Sequence, residues 1–184
     1  FSAERSGSDG GVVIGHGALK FQNRDNLRNT AIGYHALTNL GNGVTYGGIH
    51  NTAVGFEAGG TGVFGGGLDG GSNVYGSDNV MMGYVAGGLI TTGQDNVIIG
   101  SRAGEVLTTG DQNILIGRSA GDSLTDNNQN IAIGFQAFDA ATGGEHYNIA
   151  IGNNALTTEN SNADGCVAVG DGALALQNRD DSRN

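Results

Sequence analysis

Four histidines, one cysteine and a scatter of carboxylates are the side chains here with acid–base, nucleophilic or metal chemistry to offer. His16, His35, His50 and His146 form no pair with metal-ligand spacing. They read as solvated or turn histidines. Asp111, Asp122 and Asp126 lie among Gly, Asn, Thr and Ser, where carboxylates are usually just solvated. The stretch from Gly66 to Gly71 (GGLDGG) shares residue types with calcium-binding glycine repeats but lacks their G-G-x-G-x-D-x-U-x spacing. No nucleophile, base and orienting group can be assembled from spacing. A Rossmann-type glycine signature needs a strand followed by a helix, and no segment has a sustained helical period. The expectation is therefore no catalytic residue, no cofactor and no metal.

What the sequence does carry is a repeat. An apolar residue followed by glycine recurs at Gly15, Gly33, Gly55, Gly83, Gly100, Gly117, Gly134, Gly152 and Gly170. Successive glycines are 17 or 18 residues apart, except for two spacings of 22 and 28. Taking each glycine as position 0, position +3 is always alanine: Ala18, Ala36, Ala58, Ala86, Ala103, Ala120, Ala137, Ala155 and Ala173. Position −4 is asparagine in seven copies: Asn29, Asn51, Asn79, Asn96, Asn113, Asn130 and Asn148. Gly11 and Cys166 stand there in the other two, so Cys166 reads as a packed residue rather than a reactive one. The asparagines predict an inward ladder that bonds backbone groups and its own members along a stack.

Positions −3 and −1 hold Val, Ile, Thr and one Met, the preference of a pleated strand. Period two puts them on one face. Position −2, on the other face, is alanine in five copies (Ala31, Ala53, Ala132, Ala150 and Ala168) and Val13, Met81, Ile98 and Leu115 in the rest. A strand apolar on both faces is buried on both, as in parallel sheets. One face fills the interior of the chain's own coil and the other needs a partner. The small alanines make position −2 the expected site of close approach by a second chain. Left bare, Ile98 and Leu115 would form an apolar stripe prone to aggregation. Cyclic symmetry would cover such a stripe without leaving an edge.

Between strands the chain is punctuated by turn residues, as in Thr108-Thr109-Gly110-Asp111. A coil of 17 to 18 residues suits two short strands and two turns. The fold expectation is all-β: a parallel β-roll or β-solenoid of about nine coils, roughly 43 Å long at the usual strand spacing. Residues 59–79 form an irregular glycine-rich insertion, read either as a loop or as an extra imperfect coil. Position +1 varies (His16, Tyr34, Phe56, Tyr84, Ser101, Arg118, Phe135, Asn153, Asp171), which marks an outward site. Tyr34, Phe56, Tyr84 and Phe135 are thus candidate surface contacts, for sugar rings or for packing between subunits.

Composition narrows the function classes. Glycine supplies 36 of 184 residues and proline none, which excludes collagen. A hydrophobic content of 38% does not fit a disordered chain. Eight basic against 18 acidic residues give a net charge of −10, which repels phosphate backbones and argues against nucleic acid. No apolar run approaches membrane-spanning length. Residues 22–29 (QNRDNLRN) and 177–184 (QNRDDSRN) are near copies, and the second stops where a further strand should open. Residues 1–184 thus read as a single array cut from a longer fibre.

The strings Asn29 to Leu37 (NTAIGYHAL) and Asn51 to Gly59 (NTAVGFEAG) resemble the N-T-A-I-G-x-x-A-L repeats of phage tail-fibre-like proteins and of trimeric autotransporter adhesin heads. The resemblance covers roughly residues 11–184. It implies parallel β-rolls in a homotrimer, extracellular, on a virion tail or a bacterial cell surface, with a host-surface glycan or protein as receptor. The period here is longer than in adhesin heads, and residues 59–79 fit poorly. The function expected is a non-enzymatic structural or adhesive fibre segment. The alternative is a polysaccharide-binding or polysaccharide-degrading β-helix protein.

Overall fold

The structure is a computed structural model, and it describes residues 10–20, 28–39, 48–60, 76–139, 144–157 and 164–175. Nine strands of three residues each immediately precede the repeat glycines: β1 (Val12–Ile14), β2 (Thr30–Ile32), β3 (Thr52–Val54), β4 (Val80–Met82), β5 (Val97–Ile99), β6 (Ile114–Ile116), β7 (Ile131–Ile133), β8 (Ile149–Ile151) and β9 (Val167–Val169). They form one parallel sheet in chain order, with equivalent positions paired throughout, as in Val97↔Ile114 and Ile98↔Leu115. The fold is an all-β, parallel β-solenoid. β3 pairs directly with β4, Ala53 opposite Met81. Residues 61–75, including the glycine-rich GGLDGG, and the near-copies at 22–27 and 177–184 lie outside the described residues.

The strand glycine is dictated by two geometric facts together. Its φ lies between 128° and 141° in all nine copies, beyond the left-handed basin open to other residues. In the copies from Gly15 to Gly152, an added Cβ would also fall 2.1–2.4 Å from the carbonyl oxygen of the glycine one coil on. Backbone stacks on backbone at this corner, and nothing larger than hydrogen fits.

The expectation of two strands per coil is corrected. Positions +2 and +4 have left-handed φ values, as at Arg102 (60°), Ser119 (54°) and Phe138 (51°), which no extended strand can contain. The other walls of the coil are turns. They still stack by backbone bonds, such as Gly104 N–H to the Ala120 carbonyl at 3.0 Å and Thr108 N–H to that of Thr125 at 2.8 Å.

The expected facing of the strands is also corrected. Position −2 does not face a second chain. Ala31, Ala53, Met81, Ile98, Leu115, Ala132 and Ala150 are fully buried in the coil's own interior. Positions −3 and −1 point outward: they are half-buried in most of the middle strands and reach 51% exposure at Ile14 and 65% at Val169 in the two end strands. The alanines are explained by sharing space with position +4. Where −2 is large (Met81, Ile98, Leu115), +4 is glycine (Gly87, Gly104, Gly121). A Cβ on Gly104 would come within 2.8 Å of Leu115. Where +4 is large (Leu37, Phe138, Leu156), −2 is alanine (Ala31, Ala132, Ala150), and all six are buried; the first coil, at the end of the stack, carries both Val13 and Leu19, and its Val13 is only partly buried. Ile90, Leu107 and Leu124 complete the interior of the glycine-type coils. Coil three has both small, Ala53 and Gly59, and its space is taken by Leu37 and Met81 from the coils on either side.

This division of volume makes a prediction for urea unfolding. Leu115→Ala should cost about 2–5 kcal/mol by leaving a cavity. Ala132→Leu should cost about 1–3 kcal/mol, because Phe138 already occupies that space.

Candidate functional site

Side chains at fixed positions of the coil form columns along the solenoid. The asparagine column runs inside. Asn51 N–H donates to Asn29 Oδ1 (2.7 Å), and the same bond repeats through Asn79, Asn96, Asn113, Asn130 and Asn148 to Cys166 N–H (2.8 Å). Each Nδ2 from Asn29 to Asn130 donates to a carbonyl of the next coil, as Asn96 to Gly110 and Asn113 to Asn127, both at 2.8 Å. All seven are buried. Cys166, buried, takes the ladder position after Asn148.

The aromatic column lies outside, just after the strands. Tyr34, Phe56 and Tyr84, exposed at position +1, form a stack that His16 extends, with centroids 5.1–5.5 Å apart and planes within 19°. His35 stacks on Tyr34 at 4.1 Å. The rings along the stack thus face one another, and mainly their edges meet solvent. Phe135 stands apart from them, with the Arg118 guanidinium 5.7 Å from its centroid. Parallel in-register stacking converts an outward aromatic position into a ladder.

A carboxylate column follows at position +5: Glu105, Asp122 and Asp139. Arg102 bonds Glu105. Partial burial pushes the Asp122 carboxyl above its ordinary range, with the Ser119 hydroxyl and the Arg102 charge pulling it back. Burial also pushes Asp139 up, and the neighbouring Asp122 charge adds to it. Raised folded-state values mean that the fold prefers these carboxyls protonated, so their effect favours folding below the ordinary carboxyl range near 4. That contribution is lost as pH rises through the elevated values. The Asp122→Asn, Asp139→Asn double variant should therefore raise the unfolding free energy from urea titration at pH 7 by roughly a few tenths of a kcal/mol, and the gain should vanish near pH 3.

The sequence pattern gave no sign of a second ladder at position −6. Gln94 N–H donates to Asp111 Oδ1 (2.7 Å), Asp111 N–H to Asn128 Oδ1 (2.7 Å), Asn128 N–H to His146 Nδ1 (3.0 Å) and His146 N–H to Asp164 Oδ1 (2.7 Å). Its direction is opposite to that of the asparagine column. Residue identity varies here, and only an acceptor one bond or two from Cβ is kept, which hides the position from a search for repeats. Beside it, at −5, Asp95, Gln112, Gln129 and Tyr147 stand exposed, and the two columns line an open polar groove of about 360 Å³.

The remaining histidines do not converge. His50 Nδ1 meets Asp78 at 3.1 Å on the surface, and His146 serves the −6 ladder. Among the described residues no three His, Cys, Asp or Glu side chains cluster as a metal site would. No helix among them is long and apolar enough to cross a membrane. The outer face of the sheet is a further surface among the described residues. Its two outward columns present Val, Ile, Thr and Met82 over a face roughly 38 Å by 10 Å at standard strand dimensions. No protein-family model matches the chain, and comparison with curated proteins and with solved structures finds no match.

Proposed function

We propose that this chain is a non-enzymatic segment of an extracellular fibre, structural or adhesive, built as a parallel homotrimer on a virion tail or a bacterial surface. One observation carries the reading. The outward columns at −3 and −1 are Val or Ile except at Thr30, Thr52 and Met82, in a molecule whose interior is already filled by the −2 and +4 residues. An apolar face of roughly 380 Å² is of the size at which an exposed patch often marks an interaction site. Here the face is continuous along the solenoid axis, so identical copies aligned in parallel bury it coil against coil. The trimer is preferred to the dimer by the resemblance to tail-fibre and adhesin repeats. Several side chains capable of chemistry, Asp111, His146 and Asp164 among them, accept backbone hydrogen bonds in a ladder that holds the coils in register.

Light scattering on the purified chain tests this: the expected mass is threefold that of the 18.5 kDa chain. Ile116→Asp with Ile133→Asp should give a monomer with an unchanged circular dichroism spectrum. A wild-type monomer would contradict the reading. The second reading, polysaccharide binding, is favoured by the polar groove before β5 to β8.

A further inference from the structure

We propose that the groove formed by the turns preceding β5, β6, β7 and β8 binds a linear, uncharged glycan, the inner column supplying fixed polar groups and Tyr147 a stacking face. The proposal rests on the adhesive part of the function proposed above.

The groove is built rather than incidental. Asp111, Asn128 and His146 are each held by accepting a backbone N–H from the preceding coil, so their remaining polar atoms are pre-positioned. His146 accepts at Nδ1, which places the proton of the neutral ring on Nε2 as a donor. Gln129 Nε2 donates to Gln112 Oε1 at 2.9 Å, leaving the Gln112 amide hydrogens and the Gln129 carbonyl for a ligand. Donors and acceptors therefore alternate along the groove, which suits hydroxyl groups that act as both.

The outer column adds a second argument. Asp95, Gln112, Gln129 and Tyr147 all have φ between 56° and 62°, a conformation in which a side chain costs free energy that glycine avoids. Gly10 and Gly165 occupy the same position in other coils with φ of 82° and 72°. The turn accepts either glycine or a side chain, since Arg28, His50 and Asp78 also hold this position outside the groove with φ of 45°, 59° and 59°, so the four groove side chains are not demanded by the turn and can be removed without disturbing it.

The ligand class follows from what lines the walls. Asp95 and Asp111 bring negative charge and no Lys or Arg lines the groove, so phosphorylated, sulfated or sialylated chains are repelled. Tyr147 is 60% exposed and meets the His146 ring edge-on at 6.2 Å, unlike the face-to-face ladder of Tyr34, Phe56 and Tyr84. A ring face is thus open to stack on a pyranose. The coils repeat about every 4.8 Å, a step close to one sugar ring of an extended chain. About 360 Å³ is also room for a short oligosaccharide rather than a single water layer.

Calorimetric titration of the full chain with cellotetraose, maltotetraose, mannotetraose and chitotetraose, and with trisialic acid as the anionic control, tests the assignment. At least one neutral tetrasaccharide should bind saturably, and trisialic acid should not. Gln129→Gly with Tyr147→Gly removes two side chains without straining the backbone, and should weaken binding at least tenfold while keeping the wild-type melting temperature or raising it. No binding of any neutral tetrasaccharide at millimolar concentration would overturn the proposal, as would an unchanged affinity in the double variant or equal binding of trisialic acid. Absent binding with a trimeric mass would remove the glycan site alone. Binding retained by a monomer would remove the trimer alone.

Discussion

Gly117→Ala is expected to cost more than about 4 kcal/mol and to leave the coils around β6 and β7 unfolded at temperatures where the wild type is intact. Two penalties coincide there. The φ of 135° lies outside the basins of an L-residue, and the new methyl carbon would sit 2.3 Å from the Gly134 carbonyl oxygen and 2.7 Å from its carbon. Both obstacles are backbone, so no rotamer change relieves them. Moving β6 away from β7 would break the stacking bonds on every wall of that coil. Gly172→Ala is the control. Its φ is 63° and nothing lies within 4 Å of the added carbon, so the cost should be about 1 kcal/mol. Urea titration followed by circular dichroism separates the two. In a solenoid the lesion should also split the transition, because coils couple chiefly to their neighbours.

The second large effect is expected at Asn113. Its side chain accepts from Asn130 N–H at 3.0 Å, donates to Asn96 Oδ1 at 3.0 Å and donates to the Asn127 carbonyl at 2.8 Å, all in the dry interior. Asn113→Ala leaves a buried N–H and a buried carbonyl without partners, at about 1–3 kcal/mol for each orphaned group. Asn113→Asp keeps the shape but replaces a donor by a charge facing the Asn127 carbonyl. It should be worse than alanine at pH 7. Acid should restore much of its stability, since a protonated carboxyl donates where the amide did. Burial raises the folded-state value of such an introduced acid, so stability is present at low pH and lost as pH rises through it. A pH series of urea midpoints for the two variants reads this directly.

These two columns were the legible part of the sequence, because their geometric demands admit one residue type at the glycine and favour one, asparagine, in seven of nine copies of the other. A backbone stacked on a backbone at φ near 135° takes only glycine. An inward side chain that must both accept and donate along the stack takes asparagine. The three-residue strands were equally plain from their β-branched flanks. Period two, however, says which residues share a face and not which face is inside. Alanine at −2 suggested room for a second chain, whereas it makes room for Leu37, Phe138 or Leu156 of the same coil. The register held the answer: Asn29, Ala31 and Gly33 are two residues apart, so an inward asparagine requires an inward alanine.

The polar groove was not legible at all. At −6, Asp111, Asn128, His146 and Asp164 share only an acceptor atom close to Cβ, a property that residue-by-residue comparison does not register. The left-handed turns at +2 and +4 were hidden for a related reason. At φ near 50–60° the backbone tolerates Leu, Phe, Arg and Gln at modest cost, so glycine does not mark them. The aromatic column was found, but the stacking of its rings on one another depends on in-register coils and changes what a ligand could reach.

The outward β-branched columns, and not the alanine column, are the surface proposed to meet a neighbouring chain. Thiol alkylation tests this most directly. In a Cys166→Ala background, Ile116→Cys reports the outward face, and Ser123→Cys reports an exposed turn outside the sheet. In the assembled protein, Ile116→Cys should react at least a hundredfold more slowly than Ser123→Cys, and the Ile133→Asp substitution should restore its rate. Reaction of Ile116→Cys at the rate of Ser123→Cys in the otherwise unaltered chain would show an uncovered face and contradict the account.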